Sequence, residues 1–235
     1  MATIYLIRHG QASFGADNYD KLSPLGCRQA QVTGEYFRDI GITFDAVYSG
    51  DLSRQRETAR LVIASQPGEV PHYIDPRFNE IQNDEQLKCL MPQVIERNPT
   101  VKALVDKGLS SSKDYQKVID AVFNYWVSPE CNDPRIQSWA DYSNGARDAL
   151  ANVMQAQGAG KTVGIFTSGG TLATLVAQVL GLDGEQTYQF YEPVFNCSVT
   201  QLFYSRSKIS LSYFNDCSFL QVMGRLQGED LLSYR

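Results

Sequence analysis

The sequence predicts an α/β fold with a mainly parallel central sheet and helices on both faces. Three observations lead there. The short apolar runs Ile4-Tyr5-Leu6-Ile7, Phe44-Asp45-Ala46-Val47-Tyr48 and Val163-Gly164-Ile165-Phe166 have the length and the β-branched, aromatic character of buried strands. Each run passes into a polar or glycine-containing junction, and each junction precedes a segment with helical spacing. At 235 residues, 43% hydrophobic and 20% charged, the chain can bury one full core.

The first strand closes on Arg8-His9-Gly10, which places Arg8 and His9 at its carboxyl end. In open α/β sheets that edge is where loops converge on ligands. A polar loop over 11–21 leads to Ser23-Pro24, a capping residue followed by a first-turn proline, and a helix should run to Gly41. Leu25, Val32, Tyr36, Phe37 and Ile40 give that helix one core face. The second strand ends in Ser49-Gly50-Asp51-Leu52-Ser53-Arg54, where another helix begins. Ala59, Val62 and Ile63 mark its buried side, while Arg54 and Thr58, four apart, share a different face.

The strand ending at Phe166 runs into Thr167-Ser168-Gly169-Gly170-Thr171, and a helix over 172–180 is stopped by Gly181. Glycines here permit close backbone approach, with a helix amino terminus aimed at an anion. Between Glu80 and this junction, 86–107 and 113–127 have helix-compatible spacing, with Pro92, Pro99 and Gly108 interrupting any single long helix. Val118, Ala121, Val122 and Tyr125 form one apolar side, and Tyr115, Trp126 and Trp139, which could line a cleft, are read as core aromatics because helical spacing more often marks core. A helix over 142–156 should pack on the sheet through Ala146, Leu150, Val153 and Met154. Segments 198–204 and 209–214 alternate as a hairpin, and 229–235 reads as a solvated end.

Composition excludes several classes of function. Lys plus Arg total 21 against 26 Asp plus Glu, a formal charge of -5 with no basic run, which argues against nucleic-acid binding and against a membrane-surface role. No apolar segment approaches the ~20 residues of a membrane span, and no signal-like head precedes the first strand, so a cytoplasmic location is expected. Five scattered cysteines form no C-x-x-C, and the two histidines, His9 and His72, are too few for a metal cluster, so neither disulfides nor a metal site is expected.

Arg8-His9-Gly10, then Leu22-Ser23-Pro24-Leu25-Gly26-x-x-Gln29-Ala30, then Ser49-x-Asp51-Leu52-x-Arg54-x-x-x-Thr58-Ala59 resemble the linked motifs of the histidine phosphatase superfamily, the phosphoglycerate mutase-like proteins. The resemblance continues in Asp75-Pro76-Arg77-Phe78-Asn79-Glu80, near Arg147, and at Asn196-x-Ser198 and Asn215-Asp216. It implies one phosphoglycerate mutase-like domain over 1–235, with 81–141 as a helical cap insertion that matches no motif.

The same resemblance implies a phosphomonoester hydrolase acting through a phosphohistidine. His9 would attack the phosphoryl group in line, held by the Gly10 carbonyl, and water would then release phosphate. Arg8 and Arg54 would clamp the phosphoryl oxygens bidentately. Glu80 would supply the leaving group's proton, its pKa raised near the anion. Ser168 stands where most members carry a second histidine; it can still donate, with the Gly169 amide completing the cradle. The expected partner is a small phosphorylated substrate or phosphate anion, with no metal or organic cofactor. Two other functions follow from the departures. Ser168 motivates a catalytically weak or inactive member that binds a phosphorylated ligand or a partner. A phosphoglycerate mutase is the other, opposed by the missing second histidine and by the altered loop Gln11-Ala12-Ser13.

Overall fold

Side-chain alternation along the first strand, β1 (Ala2–Arg8), decides the layering, because successive residues of a strand face opposite sides. Ala2, Ile4 and Leu6 enter one hydrophobic core, and Tyr5 and Ile7 enter another. A computed structural model of the chain describes residues 1–13, 20–206 and 208–234. After β1 come α1 (Pro24–Asp39), β2 (Ala46–Ser49), α2 (Ser53–Ile63) and β3 (His72–Ile74). Helices α3 (Asn83–Arg97), α4 (Pro99–Asp106) and α5 (Ser112–Val127) follow, and then α6 (Trp139–Gln157), β4 (Thr162–Thr167), α7 (Gly169–Val179) and α8 (Gly184–Tyr191). The hairpin strands β5 (Val199–Ser205) and β6 (Lys208–Asp216) and helix α9 (Ser218–Gln227) complete the order.

The strands form one six-stranded sheet in the order β3-β2-β4-β1-β5-β6. Its first four strands are parallel, and the β5–β6 hairpin adds antiparallel against β1. The expected α/β architecture is therefore present, with an antiparallel edge. Helices α1, α2 and α9 cover one face through Phe37, Val62 and Leu220, each fully buried; α6 and α7 cover the other through Ala146, Leu172 and Leu175. Burying a side chain of this size stabilises the fold by ~1.5–3 kcal/mol. A third cluster, with Leu90, Val94, Val122, Phe123 and Trp126, lies within α3–α5 and the neighbouring parts of α6 and α8.

Local sequence sets several element ends. The Ser23 side chain accepts from the Gly26 amide and Pro24 occupies the first turn of α1, so that helix begins where its orphan donors are met. Elsewhere the structure departs from the sequence pattern. Ile40 lies past the end of α1 and is 49% exposed, because the helix stops one residue short of it. Pro92 sits inside α3 and does not interrupt it; it and Lys88, whose carbonyl loses its helical donor, are both exposed, so water can replace the missing bond. Pro99 and Gly108 bracket α4 as read. Trp126 is core at 2% exposure, whereas Tyr115 is 45% exposed and faces a cleft. The segment after α9 is not a solvated end: Leu231 is 2% exposed within the α1–α2–α9 core. Among the described residues, no helix is long and apolar enough to cross a membrane.

Candidate active site

His9 is the first residue beyond β1. Arg8 pairs in register with Thr167 of β4, and the His9 amide donates to the Thr167 carbonyl at 2.8 Å, so the ladder delivers His9 alongside Ser168. The imidazole is 4% exposed, with Nδ1 2.7 Å from the Gly10 carbonyl. A neutral ring in this position donates from Nδ1 and keeps a lone pair on Nε2. Arg54 Nε donates to that Nε2 at 3.2 Å. Burial, and then the charges of Arg8 and Arg54, hold the His9 pKa well below the ordinary imidazole range, against the opposing pull of the Gly10 carbonyl. The ring is therefore neutral at physiological pH.

The loop that turns the chain away from His9 requires two glycines. A Cβ on Gly10 would lie 2.4 Å from the Gly26 carbonyl oxygen, and one on Gly26 would lie 2.1 Å from the Gln11 carbonyl oxygen. No side chain fits where two backbones meet so closely. Thr58 ties this loop to α2, its hydroxyl accepting from the Gly10 amide at 3.0 Å and donating to the Arg54 carbonyl at 2.7 Å.

Arg54, one residue into α2 and 8% exposed, is held from the far side by Asp20. Asp20 Oδ1 lies 2.7 Å from Arg54 Nη1, and its Oδ2 accepts from the Ser53 amide at 2.7 Å. One carboxylate thus orients the guanidinium and meets a first-turn donor of the helix that carries it. Gln55, fully buried beside Arg54, donates from Nε2 to the Phe78 carbonyl at 3.0 Å and to the Ser168 hydroxyl oxygen at 2.8 Å. Ser168 is itself fully buried, and its hydroxyl hydrogen has no acceptor among the described residues. Arg56 and Arg60 of the same helix are exposed.

Glu80 follows the short turn Pro76–Phe78 and is half-buried. Its Oε1 accepts from the Ile81 amide at 2.9 Å and from the Gly170 amide, in the first turn of α7, at 3.0 Å. Desolvation raises its pKa, partly countered by those two amides and by Arg8 and Arg54. A Cβ on Gly170 would lie 2.5 Å from that Oε1 and 2.5 Å from Ile81 Cδ1, so the second glycine of the pair makes room for the acid. The first has another neighbour: a Cβ on Gly169 would meet the Tyr191 ring at 3.1 Å and Arg8 Nε at 3.5 Å.

Arg8 donates from Nη1 to the carbonyls of Val194 and of Tyr234, the latter at 3.0 Å. The final segment is thereby tied to the site, and two further residues reinforce it. Gln29 Nε2 donates to the Leu231 carbonyl and to the Ser233 hydroxyl, each at 2.9 Å, while Ser233 donates to Asn196 Oδ1 at 2.9 Å. Asn196 Nδ2 in turn donates to the His9 carbonyl at 3.1 Å.

The structure brings Arg8, His9, Arg54, Glu80, Ser168 and Gly169 to one rim at the carboxyl ends of β1 and β4 and the amino ends of α2 and α7. Asp20, Gln55 and the final segment escaped the sequence reading. Gln55 had a usable signal, a polar residue on the inner side of α2 next to Arg54; Asp20 and Ser233 had none. His72 is remote from the imidazole of His9 in role, with Nε2 bonded to the Ser49 hydroxyl at 2.8 Å. Among the described residues no group of three or more His, Cys, Asp or Glu side chains is arranged to hold a metal ion.

The fold and the site define a class. The chain belongs to the histidine phosphatase superfamily, branch 1, whose family model matches residues 4–105 and 104–217. Among particular relatives, it is 33% identical over 67 residues to a 2,3-bisphosphoglycerate-dependent phosphoglycerate mutase of Allorhizobium ampelinum, covering 26% of this chain and 32% of that one. It is 38% identical over 66 residues to the broad-specificity phosphatase YOR283W of Saccharomyces cerevisiae, covering 26% of this chain and 29% of that one. The match thus spans about a third of each of these relatives. A mutant phosphoserine phosphatase from Entamoeba histolytica, solved in complex with phosphoserine, superposes with a TM-score of 0.65 at 19% identity over 94% of this chain and 100% of that one. That likeness establishes a shared fold.

Proposed function

We propose that this protein is a phosphomonoester hydrolase working through phosphohistidine at His9, with 81–141 as a helical cap insertion on a single domain over 1–235. The observation that carries the reading is the orientation of the imidazole. Nδ1 is engaged by the Gly10 carbonyl, and the Nε2 lone pair points at the Arg54 guanidinium, where a phosphoryl group would sit. The Nε2 lone pair attacks phosphorus as the ester P–O bond breaks, and the departing alkoxide takes the Glu80 proton. Glu80, now a carboxylate, accepts a proton from water; that water cleaves the P–N bond, releases phosphate and restores neutral His9.

Arg8 and Arg54 supply positive charge to the equatorial oxygens, which is most of what phosphoryl transfer asks of a protein. Ser168 stands in for the second histidine of most members. Its hydroxyl oxygen is held by Gln55, which leaves its hydrogen to donate to a phosphoryl oxygen, with the Gly169 amide beside it. The relatives include both a phosphatase and a mutase; the replacement of the second histidine disfavours a mutase and supports hydrolysis over transfer.

Two measurements test the reading: hydrolysis of an aryl phosphate by the wild type and by His9→Ala, and acid-labile ³²P labelling of the protein in a rapid quench. Turnover falling by about 10⁴-fold or more in the variant, with the label lost, is the expected result. A second reading rests on Ser168, which is shorter than a histidine and uncharged: the pocket binds a phosphorylated ligand with little turnover. Equal inactivity of wild type and His9→Ala, with phosphate still bound, would select it.

A further inference from the structure

Next to the phosphoryl site, and sharing Arg8 with it, lies a cleft of ≈650 Å³ whose walls come from α3, α5, α8 and the final segment. Tyr191 joins the two spaces, because its ring packs on Gly169 while its hydroxyl accepts from Asn83 at 2.8 Å. The walls are mainly apolar and aromatic: Leu87, Tyr115, Ile119, Tyr188 and Tyr191 line them. Tyr188 is fixed by the Gln116 carboxamide and packs its ring on Phe123 and Tyr191, so this part of the wall is preformed. Among the described lining residues Arg8 is the one basic side chain, and two carboxylates, Asp84 and Glu192, share the wall.

We propose that this cleft receives the alcohol portion of the substrate, and that this portion is an aromatic group without negative charge. The inference rests on the phosphatase reading and adds the substrate class. Volume, aromatic walls and position all favour a flat apolar group over a three-carbon acid, which would leave most of the cleft filled with water. Charge points the same way. With Arg8 engaged by the transferring phosphoryl group, a second phosphate or a carboxylate would face Asp84 and Glu192 without a compensating cation among the described wall residues. Stacking and edge contacts from three tyrosines suit a ring.

The test compares 2-phenylethyl phosphate with ethyl phosphate, whose alcohols are closely similar in acidity, so a difference in kcat/KM reads recognition and not leaving-group reactivity. The expected wild-type preference for the phenylethyl ester is about 10-fold or more. Tyr115→Ser, at an exposed position outside the catalytic rim, should cut that preference by about 3-fold while ethyl phosphate turnover stays unchanged, and Leu87→Ala should cut it further. Asp84→Asn with Glu192→Gln should raise turnover of 3-phosphoglycerate by about 3-fold. Equal kcat/KM for the two esters, or a preference that survives Tyr115→Ser and Leu87→Ala, overturns the inference and leaves the phosphatase reading standing. If neither ester is hydrolysed faster by the wild type than by His9→Ala, the phosphatase reading falls and this inference falls with it.

Discussion

The proposed catalytic rim and the α3–α5 lobe solve opposite problems. At the rim, polar groups are buried: His9 is 4% exposed, Arg54 8% and Ser168 not at all. Groups like these persist in a core only when hydrogen-bonded, and here backbone carbonyls, Thr58, Asp20 and Gln55 do the holding. The lobe instead buries rings: Phe123, Trp126 and Trp139 meet edge to face at 5.2–5.9 Å, and its charged residues lie mostly outside. Directional bonds fix the rim atom by atom, as chemistry demands. Non-directional packing fixes the lobe as a body, and its cleft-facing side chains are then free to differ without disturbing the reacting atoms.

That contrast can be broken in several places. After His9→Ala, the largest effect should come from Arg54→Ala, which removes the proposed buried phosphoryl donor and lowers kcat/KM by about 10²–10³-fold in steady-state hydrolysis. Ser168→Ala should cost about 10-fold or more in kcat with a smaller change in KM; no loss would place Ser168 outside the reaction. Asp20→Ala leaves Arg54 without its carboxylate, and about a 10-fold loss is expected, largely recovered in Asp20→Asn if Asp20 acts by orientation. A loss that asparagine does not rescue would mean that its charge matters instead.

The pH dependence follows from the two shifted groups. On the proposed mechanism, activity should rise with pH as His9 deprotonates, well below the usual imidazole range, and fall as Glu80 deprotonates above the usual carboxylate range. The kcat/KM optimum should therefore lie on the acid side of neutrality. The ester's own ionisation is common to all variants, so dividing the wild-type profile by that of Glu80→Gln isolates the alkaline limb. Because the folded-state pKa of Glu80 is raised, its burial begins to cost stability as pH rises past the ordinary carboxyl range of the unfolded chain and costs most once pH exceeds the folded-state pKa, so Glu80→Gln should raise Tm at pH 8 more than at pH 4.

The lobe offers the complementary prediction. Trp126→Ala should cost about 3–5 kcal/mol of stability in thermal unfolding, yet leave kcat for ethyl phosphate within about 3-fold, because its ring partners Phe123, Trp139 and Tyr142 are not rim residues. A large loss of kcat would show that the lobe positions the rim after all.

Much of the fold was legible because short-range chemistry wrote it. Ser23 and Pro24 announce α1, glycines mark the junctions after β1 and β4, and alternation in 198–204 and 209–214 shows the hairpin. Arg54 and Thr58 were legible as a pair because four residues make a helical turn. Tyr115 misled for a related reason: helical spacing marks an apolar face without saying whether another element covers it. Pro92 misled because a proline removes one bond, which an exposed helix surface can forgive.

Residue types and their local order alone settled the strand-to-helix junctions, the arginine and histidine at their ends, and membership of an α/β class, since propensity, capping and periodicity act over a few positions. Which carboxylate faces Arg54, that Gln55 reaches Ser168, that the chain's last residues return to brace Arg8, and how wide a cleft α5 leaves open were decided by packing between segments as many as 226 positions apart. Such contacts form only once burial of the two sheet faces has brought those segments together, and no short-range signal encodes them.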